Sequence, residues 1–323
     1  MSSPLLVVEN LRIGFSTESG LFTAVDGVDL TLDRGEALGL VGESGSGKSV
    51  TALSLLRLIP TPPAKLLGGT AHFDGESLLD ASLDRIRRIR GGRIGMIFQD
   101  PMTSLNPMMS IGAQVAESAR LHRGDGRREA WERAVAALAE VGIPDPSIRA
   151  KDYPHQFSGG MRQRAMIAMA IVCEPDLLIA DEPTTALDVT VQAEILDLLQ
   201  GLRERRGMAL LLITHDLGVV AEVCDDVAVM YAGKIVEQAP ASRLFGSPQH
   251  PYTIGLLEST PDLDAPAGAP FRPIPGAPPR PGEIIGGCPF HPRCPVALPV
   301  CATEAPAVVR VGEADVRCHL ARP

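Results

Sequence analysis

The sequence predicts an α/β fold in which a mostly parallel sheet is covered on both sides and interrupted by an inserted helical block. Short apolar segments at 177–180, 210–213 and 227–230 alternate with helix-forming stretches, a pattern typical of parallel strands buried on both faces. Between about 102 and 165 the pattern is helical instead. A glycine-rich octapeptide at 42–49 lies between an apolar strand and a helix, where a phosphate-binding loop belongs.

The elements follow in chain order from hydrophobic periodicity. Residues 5–41 are predicted to form strands, and Ile94 to Phe98 form a core strand that ends at Gln99. Two amphipathic helices are predicted from apolar residues that recur on one face. Their members are Trp131, Val135, Leu138 and Val141 in the first helix, and Val191, Ile195, Leu198 and Leu202 in the second.

The composition changes after about residue 246. Thirteen prolines fall between Pro261 and Pro306, too many for a helix or a central strand. Composition alone therefore predicts an extended linker. Four of the six cysteines lie in the last 36 residues, however, which argues that the end of this tail is not merely disordered. The other two, Cys173 and Cys224, are predicted to be small buried hydrophobes.

Composition also excludes several classes of function. No stretch approaches the roughly 18 apolar residues of a membrane span, and the N-terminus lacks a secretory signal, so we expect a cytoplasmic chain. A net charge of −9 argues against a broad nucleic-acid surface, which depends on clustered lysine and arginine. Only 4% of the residues are aromatic, so base-stacking platforms are not expected either.

The octapeptide predicts binding of a nucleoside triphosphate. Its glycines allow several backbone N–H groups to point at a polyphosphate, and the following helix adds its positive end. Lys48 is predicted to reach the β- and γ-phosphates, and the Ser49 hydroxyl to ligate Mg²⁺. The rest of the predicted nucleotide cradle is Gly42, Ser44, Gly45, Ser46 and Gly47.

Asp181 and Glu182 end the apolar strand 177–180. Beside a phosphate-binding loop, Asp181 is predicted to coordinate Mg²⁺, and Glu182 to polarise the attacking water as general base. An acidic pair that merely caps the next helix is the alternative, which the presence of the loop disfavours. Ser158-Gly159-Gly160 alone would be a turn with a helix cap, but it stands about 20 residues before Asp181.

The order of these motifs resembles the ATP-binding-cassette (ABC) ATPases over about residues 5 to 245. The motifs are the phosphate loop, Gln99, Ser158-Gly159-Gly160-Met161-Arg162-Gln163, Asp181-Glu182, Ala186-Leu187-Asp188 and His215. One departure is Phe157 and Met161 around the signature, where the family commonly has leucine and glutamine; the phosphate-facing serine and glycines are retained.

The resemblance implies a P-loop NTPase cassette: a RecA-like parallel core at 1–100 and 166–245, N-terminal antiparallel strands, and a helical subdomain at 101–165. It further implies a head-to-tail dimer, in which each ATP lies between the phosphate loop of one subunit and Ser158, Gly159 and Gly160 of the other. Remaining roles carried over are Gln99 at Mg²⁺ and the attacking water, His215 at the γ-phosphate, Asp188 at the dimer interface and Phe15 stacking on adenine. Phe15 as a core aromatic, or Phe22 in its place, is the alternative.

Finer resemblance concerns the branch of oligopeptide/dipeptide importers and its D-type cassette subunit. It rests on the segments 99–107, 249–253 and 287–295, so that 246–323 becomes a C-terminal extension with a four-cysteine cluster. The implied partners are a second, different ATPase subunit, two transmembrane permease subunits and an extracytoplasmic binding protein, with no nucleic acid. The implied location is the cytoplasmic face of the inner membrane.

Three alternatives stay open at this stage: an importer of nickel or another small solute, a soluble ABC ATPase acting on nucleic acid or the ribosome, and a regulatory nucleotide or redox sensor. The last would tolerate the loss of Glu182.

The four clustered cysteines, Cys288, Cys294, Cys301 and Cys318, suggest a metal site in a cytosolic chain. Both tetrahedral Zn²⁺ and a [4Fe–4S] cluster use four cysteines. The spacings lack the tight pairs of structural zinc sites and favour the larger cluster, and the resemblance points the same way. Zinc, with His291 or His319 as substitute ligands, and reduced free thiols are the alternatives.

Overall fold

The computed structural model describes residues 3–18, 20–185, 187–259, 273–280, 282–283 and 285–322. The chain divides into two compact units. The first comprises Met1–Leu32, Ala37–Leu79 and Thr214–Pro323, and the second Asp33–Glu36 and Asp80–Ile213. No helix among the described residues is long and apolar enough to cross a membrane.

The N-terminal part of the first unit is built on an antiparallel sheet, as the family resemblance implies. Its elements are β1 (Leu6–Thr17), β2 (Gly20–Leu32), β3 (Ala37–Val41), α1 (Lys48–Leu55), β4 (Ala64–Phe73) and β5 (Glu76–Ser77). The strand order β2-β1-β4-β5 forms one four-stranded sheet. Val25, Val28, Leu30 and Leu32 of β2 are buried, which places the apolar side of the strand in the core.

The second unit contains the inserted helical block and three parallel strands. Its elements are α2 (Leu83–Ile89), β6 (Ile94–Ile97), α3 (Pro101–Ser104), α4 (Ile111–Arg123), α5 (Arg127–Glu140), α6 (Pro146–Arg149), α7 (Gly159–Ile171), β7 (Leu177–Asp181), α8 (Val189–Arg206) and β8 (Ala209–Thr214). Strand β7 pairs in parallel with both β6 and β8. Every residue of β7 and β8 is buried, because both faces of these strands are covered.

The buried faces of two predicted helices differ from the sequence-based expectation. In α5 the fully buried positions are Ala130, Ala134, Ala137 and Leu138, whereas Trp131 and Val135 are only partly buried. The alanines let α5 approach α4 and α7 closely, so the smallest side chains occupy the contact. In α8, Ile195 and Leu202 are buried as expected, but Leu196 and Leu199 complete the face in place of Val191 and Leu198.

The C-terminal part of the first unit returns to sheet structure. Its elements are α9 (Leu217–Val223), β9 (Asp226–Tyr231), β10 (Lys234–Pro240), α10 (Ala241–Gly246), α11 (Pro251–Glu258), β11 (Val309–Val311) and β12 (Ala314–Val316), with 3₁₀ turns at His291–Arg293 and Pro299–Ala302. Within this unit the strand order is β11-β12-β10-β9-β3, and β3 lies parallel to β9.

From residue 285 onward the proline-rich tail is therefore not an extended linker, whereas residues 273–280 contain no helix or strand. The β11–β12 hairpin adds two strands to β10, with Val316 opposite the buried carboxylate residue Glu237. Composition misled the prediction for the end of the tail because the prolines at 289, 292, 295 and 299 lie in turns or 3₁₀ turns, while short hydrogen-bonded segments supply the order. Residues 260–272, which belong to the same predicted linker, lie outside the described residues.

Candidate nucleotide site

The phosphate-binding loop connects β3 to α1, as its sequence context predicts. Gly42 and Gly47 have φ values of 156° and 108°, which side-chain-bearing residues rarely adopt. A Cβ atom at Gly42 would lie 2.1 Å from the Met230 carbonyl oxygen, and one at Gly47 would lie 2.6 Å from the Ala24 oxygen. Only glycine fits at both positions, so the loop curls tightly around its own backbone N–H groups.

Two buried polar groups of this loop suit a polyphosphate. The Lys48 side chain is 5% exposed overall, and its Nζ donates to the carbonyl oxygens of Gly42 (2.7 Å) and Glu43 (3.0 Å). Ser46 Oγ is buried and has no hydrogen-bond partner within the described part of the chain. An orphaned hydroxyl and a buried ammonium in a glycine cradle fit an anionic ligand, since both offer donors. Ser49, the second residue of α1, is half-buried.

A cavity of about 590 Å³ lies beside the loop within the first unit. Its wall includes Phe22, Ser44, Gly45, Gly233 and the tail residue Pro279. The predicted adenine-stacking residue, Phe15, is the cross-strand neighbour of Phe22, and both rings are partly buried. The cavity wall thus contains the alternative aromatic, Phe22, and the assignment of Phe15 stays a prediction.

His215 also belongs to the first unit and follows directly after β8. Its side chain is exposed. The next residue, Asp216, caps α9 by accepting hydrogen bonds from the backbone N–H groups of Gly218 (2.8 Å) and Val219 (3.4 Å). This cap fixes the turn that carries His215, and the γ-phosphate contact of His215 stays a prediction.

The predicted catalytic carboxylate lies in the second unit together with Gln99 and Asp181. Asp181 is buried as the last residue of β7. Glu182 Oε2 accepts hydrogen bonds from Gln99 Nε2 (3.0 Å) and Thr185 Oγ (2.9 Å). The structure therefore brings Gln99 and Glu182 together, although 83 positions separate them.

The backbone of Glu182 has an uncommon conformation. Its φ is +47°, in the left-handed region that residues other than glycine rarely occupy. The Glu182 N–H group donates to the Ile213 carbonyl oxygen at 2.8 Å, which holds the residue in this conformation. Left-handed residues held in place by their surroundings cluster at functional sites, so this geometry favours a functional role for Glu182.

The signature segment and Asp188 form a second cluster in the same unit. Ser158 caps the 13-residue helix α7, accepting from the Met161 N–H at 3.3 Å. Asp188 caps α8, accepting from the Val191 N–H at 3.0 Å. A Cβ atom at Gly160 would approach a Val191 methyl to 2.9 Å, so α7 begins close to α8. Ala186, the first residue of the predicted Ala186-Leu187-Asp188 motif, lies outside the described residues.

The sequence analysis missed the residues that hold Glu43, the second residue after β3. Arg293 donates from two nitrogens to the Glu43 carboxylate, at 2.6 and 3.0 Å. The Glu43 N–H group donates to the Tyr252 hydroxyl at 2.9 Å. Both partners lie in the segments 249–253 and 287–295, on which the resemblance to the importers rests. That resemblance was the only indication in the sequence that these residues matter. Nothing in those segments by themselves indicates contact with the phosphate loop.

The four tail cysteines lie near one another but are not arranged as a metal site. Burial raises the pKa of Cys288, and the thiols of Cys301, Cys318 and Cys294 raise it further, so the four lie within electrostatic reach of one another. No group of three or more histidine, cysteine or acidic side chains in the described chain is arranged to hold a metal ion, however. The described residues therefore do not show the predicted zinc or iron–sulfur site, although the four thiols lie near one another.

Comparison with known proteins decides the family. The model described as "ABC transporter" matches residues 25–185, and that described as "Oligopeptide/dipeptide transporter, C-terminal region" matches residues 236–301. A Sinorhizobium fredii protein named "Probable peptide ABC transporter ATP-binding protein" is 52% identical over 307 residues, covering 95% of this chain and 92% of that protein. The chain belongs to the ABC transporter ATP-binding proteins. A Brucella abortus protein named for peptide import and ATP binding is 51% identical over 320 residues, covering 96% and 95%.

Solved structures give the same ABC cassette. The dimeric, post-hydrolysis state of the ATP-binding cassette MJ0796 with ADP and Pi matches with a TM-score of 0.65 and 27% identity, covering 73% of this chain and 98% of that one. The Clostridium perfringens cbiO1 structure, part of an ABC transporter complex, matches with a TM-score of 0.65 and 30% identity, covering 76% and 92%. The predicted α/β cassette fold and ATPase activity are confirmed.

Proposed function

We propose that this ABC ATPase is the energy-coupling subunit of a peptide importer. The observation that carries the proposal is the C-terminal region at 236–301, because its family description refers to oligopeptide and dipeptide transport. The peptide-import names of the relatives support the same cargo class and disfavour nickel or another small solute. On this proposal the protein works at the cytoplasmic face of the membrane with permease subunits and a binding protein.

The cassette is proposed to span residues 1–245 and to act as a dimer with a second, different ATPase subunit. The dimeric state of a similar cassette supports the pairing. Each ATP would lie between the phosphate loop of one subunit and Ser158, Gly159 and Gly160 of the other. The cap of Ser158 on α7 supports this role, because a helix N-terminus with accessible N–H groups favours a phosphate oxygen.

The site residues have proposed roles that follow their positions. Lys48 would bind the phosphates, and Ser49, Gln99 and Asp181 would hold Mg²⁺, which neutralises charge on the phosphates when bound. Glu182 would accept the proton of the attacking water, and Gln99 would orient that carboxylate through their shared hydrogen bond. His215 would contact the γ-phosphate. Asp188 would cap α8 at the interface between the two subunits.

Reconstitution tests the transport role. The chain would be co-purified with its permease subunits and a partner cassette, placed in liposomes, and assayed for ATP hydrolysis with its binding protein and a mixture of di- and oligopeptides. We expect stimulation of hydrolysis and uptake of peptide. Stimulation by nickel instead of peptide would select the small-solute alternative, and stimulation by DNA or ribosomes without membranes would contradict an importer.

The four tail cysteines are proposed to hold a [4Fe–4S] cluster, supported by the donor set and the mutual proximity of Cys288, Cys294, Cys301 and Cys318. Because no described group is arranged for a metal ion, the loops carrying the thiols would have to adjust on binding. The measurement is iron, acid-labile sulfide and zinc content of protein purified without oxygen, beside a Cys294→Ser variant. About four irons and four sulfides per chain, lost in the variant, are expected. One zinc without sulfide, or no metal, would contradict the cluster.

A further inference from the structure

The tail of the protein contacts the phosphate loop through one ion pair, in which the arginine is buried and the glutamate is partly exposed. Arg293 is only 7% exposed and directs both terminal nitrogens at the carboxylate of Glu43, 250 positions earlier in the chain. Its Nε donates to the Pro275 carbonyl oxygen at 3.0 Å, and its Nη1 also donates to the Tyr231 hydroxyl at 3.3 Å. All three guanidinium nitrogens of Arg293 therefore donate hydrogen bonds, which fixes the orientation of the group.

This contact has the properties of a specific support. A bidentate arginine–carboxylate pair fixes the orientation of both partners, which a lysine at the same place cannot do. The contact with Glu43 raises the pKa of Arg293, so the guanidinium stays charged over the whole physiological range. Removal of either partner would leave the other as an uncompensated charge in a largely buried place.

The backbone of Glu43 is held as well. Its N–H group donates to the hydroxyl of Tyr252, and the ring of Tyr252 packs against Tyr231 and Phe290 with centroids 4.6 and 5.3 Å away. Tyr231 and Phe290 pack edge to face at 5.3 Å. This aromatic cluster packs β9, α11 and the tail together, and the Tyr252 hydroxyl connects it to the loop.

The same residue of the loop faces the phosphate-binding lysine. The carbonyl oxygen of Glu43 accepts a hydrogen bond from Lys48 Nζ at 3.0 Å. A continuous series of contacts therefore runs from Arg293 in the tail, through Glu43, to Lys48. Displacement of Glu43 would move a group that sets the position of the Lys48 ammonium.

We propose that Arg293 is a positioning residue for the nucleotide site, through which the C-terminal region sets the conformation of the phosphate loop. The inference rests on the proposed role of this loop in ATP binding. On this proposal the C-terminal region contributes to nucleotide binding and is not an independent domain. The tail region cannot then be loosened without a change in nucleotide affinity.

A double-mutant cycle on the full-length protein tests the proposal. The variants are Arg293→Gln, Glu43→Gln, the double variant and Arg293→Lys. The matched control is Arg310→Gln, because Arg310 pairs with Asp315 in the same tail but with both side chains exposed. Three quantities are measured for each variant. They are the dissociation constant of fluorescent N-methylanthraniloyl-ATP in the presence of Mg²⁺, the KM and kcat of ATP hydrolysis, and the midpoint of thermal unfolding.

We expect Arg293→Gln to raise the dissociation constant and KM about tenfold, because a small misplacement of a binding group has effects of this size or larger. Glu43→Gln should match it, the double variant should be no worse than either single one, and Arg293→Lys should recover part of the affinity. Arg310→Gln should bind like the unsubstituted protein.

Four results would overturn the proposal. One is a folded Arg293→Gln variant with unchanged dissociation constant. Another is a double variant whose loss is about the product of the single losses, which would mean independent action. If Arg293→Gln fails to fold, unchanged affinity in Glu43→Gln decides against the role. Failure of the unsubstituted protein to bind the nucleotide would refute the nucleotide site itself, and the positioning role with it.

Discussion

Substitution of Glu182 by glutamine separates the chemistry of this site from its architecture. In the structure Glu182 Oε2 accepts hydrogen bonds from Gln99 and Thr185. A glutamine amide oxygen at the same place can accept both, and the backbone bond to Ile213 is untouched. We therefore expect a change of about 0.5 kcal/mol or less in the free energy of unfolding, typical of substitutions that keep their contacts.

The effect on catalysis should be far larger. An amide cannot take the proton of the attacking water, and a positioned general base contributes roughly 10² to 10⁴ in rate. This corresponds to about 3–5 kcal/mol in the activation barrier. Because Glu182 is not predicted to bind the phosphates, ATP affinity should stay unchanged, and the cassette dimer should accumulate in its closed, ATP-bound state.

The assay is ATP hydrolysis at saturating Mg²⁺ and ATP, with nucleotide binding and dimer formation measured on the same samples. Glu132→Gln is a suitable control, because Glu132 forms an ion pair with Arg128 on α5 and both side chains are exposed. A Glu182→Gln variant that hydrolyses ATP at the normal rate would refute the general-base role and revive the regulatory-sensor interpretation. A loss of turnover accompanied by unfolding would refute the structural part of the reasoning.

Two further predictions concern the phosphate loop and the tail. Lys48→Ala should weaken nucleotide binding at least tenfold, because the substitution removes the ammonium group that binds the phosphates. An equilibrium titration with labelled ATP measures the dissociation constant, and an unchanged value would contradict this prediction. Burial lowers the pKa of His250 from 6.5 to about 4. Between these two pH values the unfolded chain therefore binds more protons than the folded one. The free energy of unfolding should fall by about 3 kcal/mol as the pH drops from 6.5 to 4. His250→Asn, which can still cap α11 at Tyr252, should flatten that dependence in denaturant titrations, whereas an unaltered slope would rule out His250 as its source.

Local sequence patterns predicted the parts of this protein that depend on neighbours along the chain. The strand–loop–helix context of Lys48 and the apolar strand before Asp181 were read correctly, because backbone curvature and strand burial follow from nearby residues. The same reasoning failed for the buried face of α5. There the close approach of α4 and α7 places alanines at the contact and leaves Trp131 partly exposed. The four cysteines indicated that the end of the tail is ordered, but the pairing of its hairpin with the distant strand β10 was missed.

The sequence by itself determined the family, the ATPase chemistry and the residues predicted to carry it, because motifs for phosphate binding are short and local. Only the tertiary structure decided what supports them. The Glu182–Gln99 hydrogen bond and the Arg293–Glu43 pair join residues 83 and 250 positions apart. The partners of a side chain over such separations depend on how the whole chain packs. Local spacing and periodicity in the sequence therefore do not predict these partners.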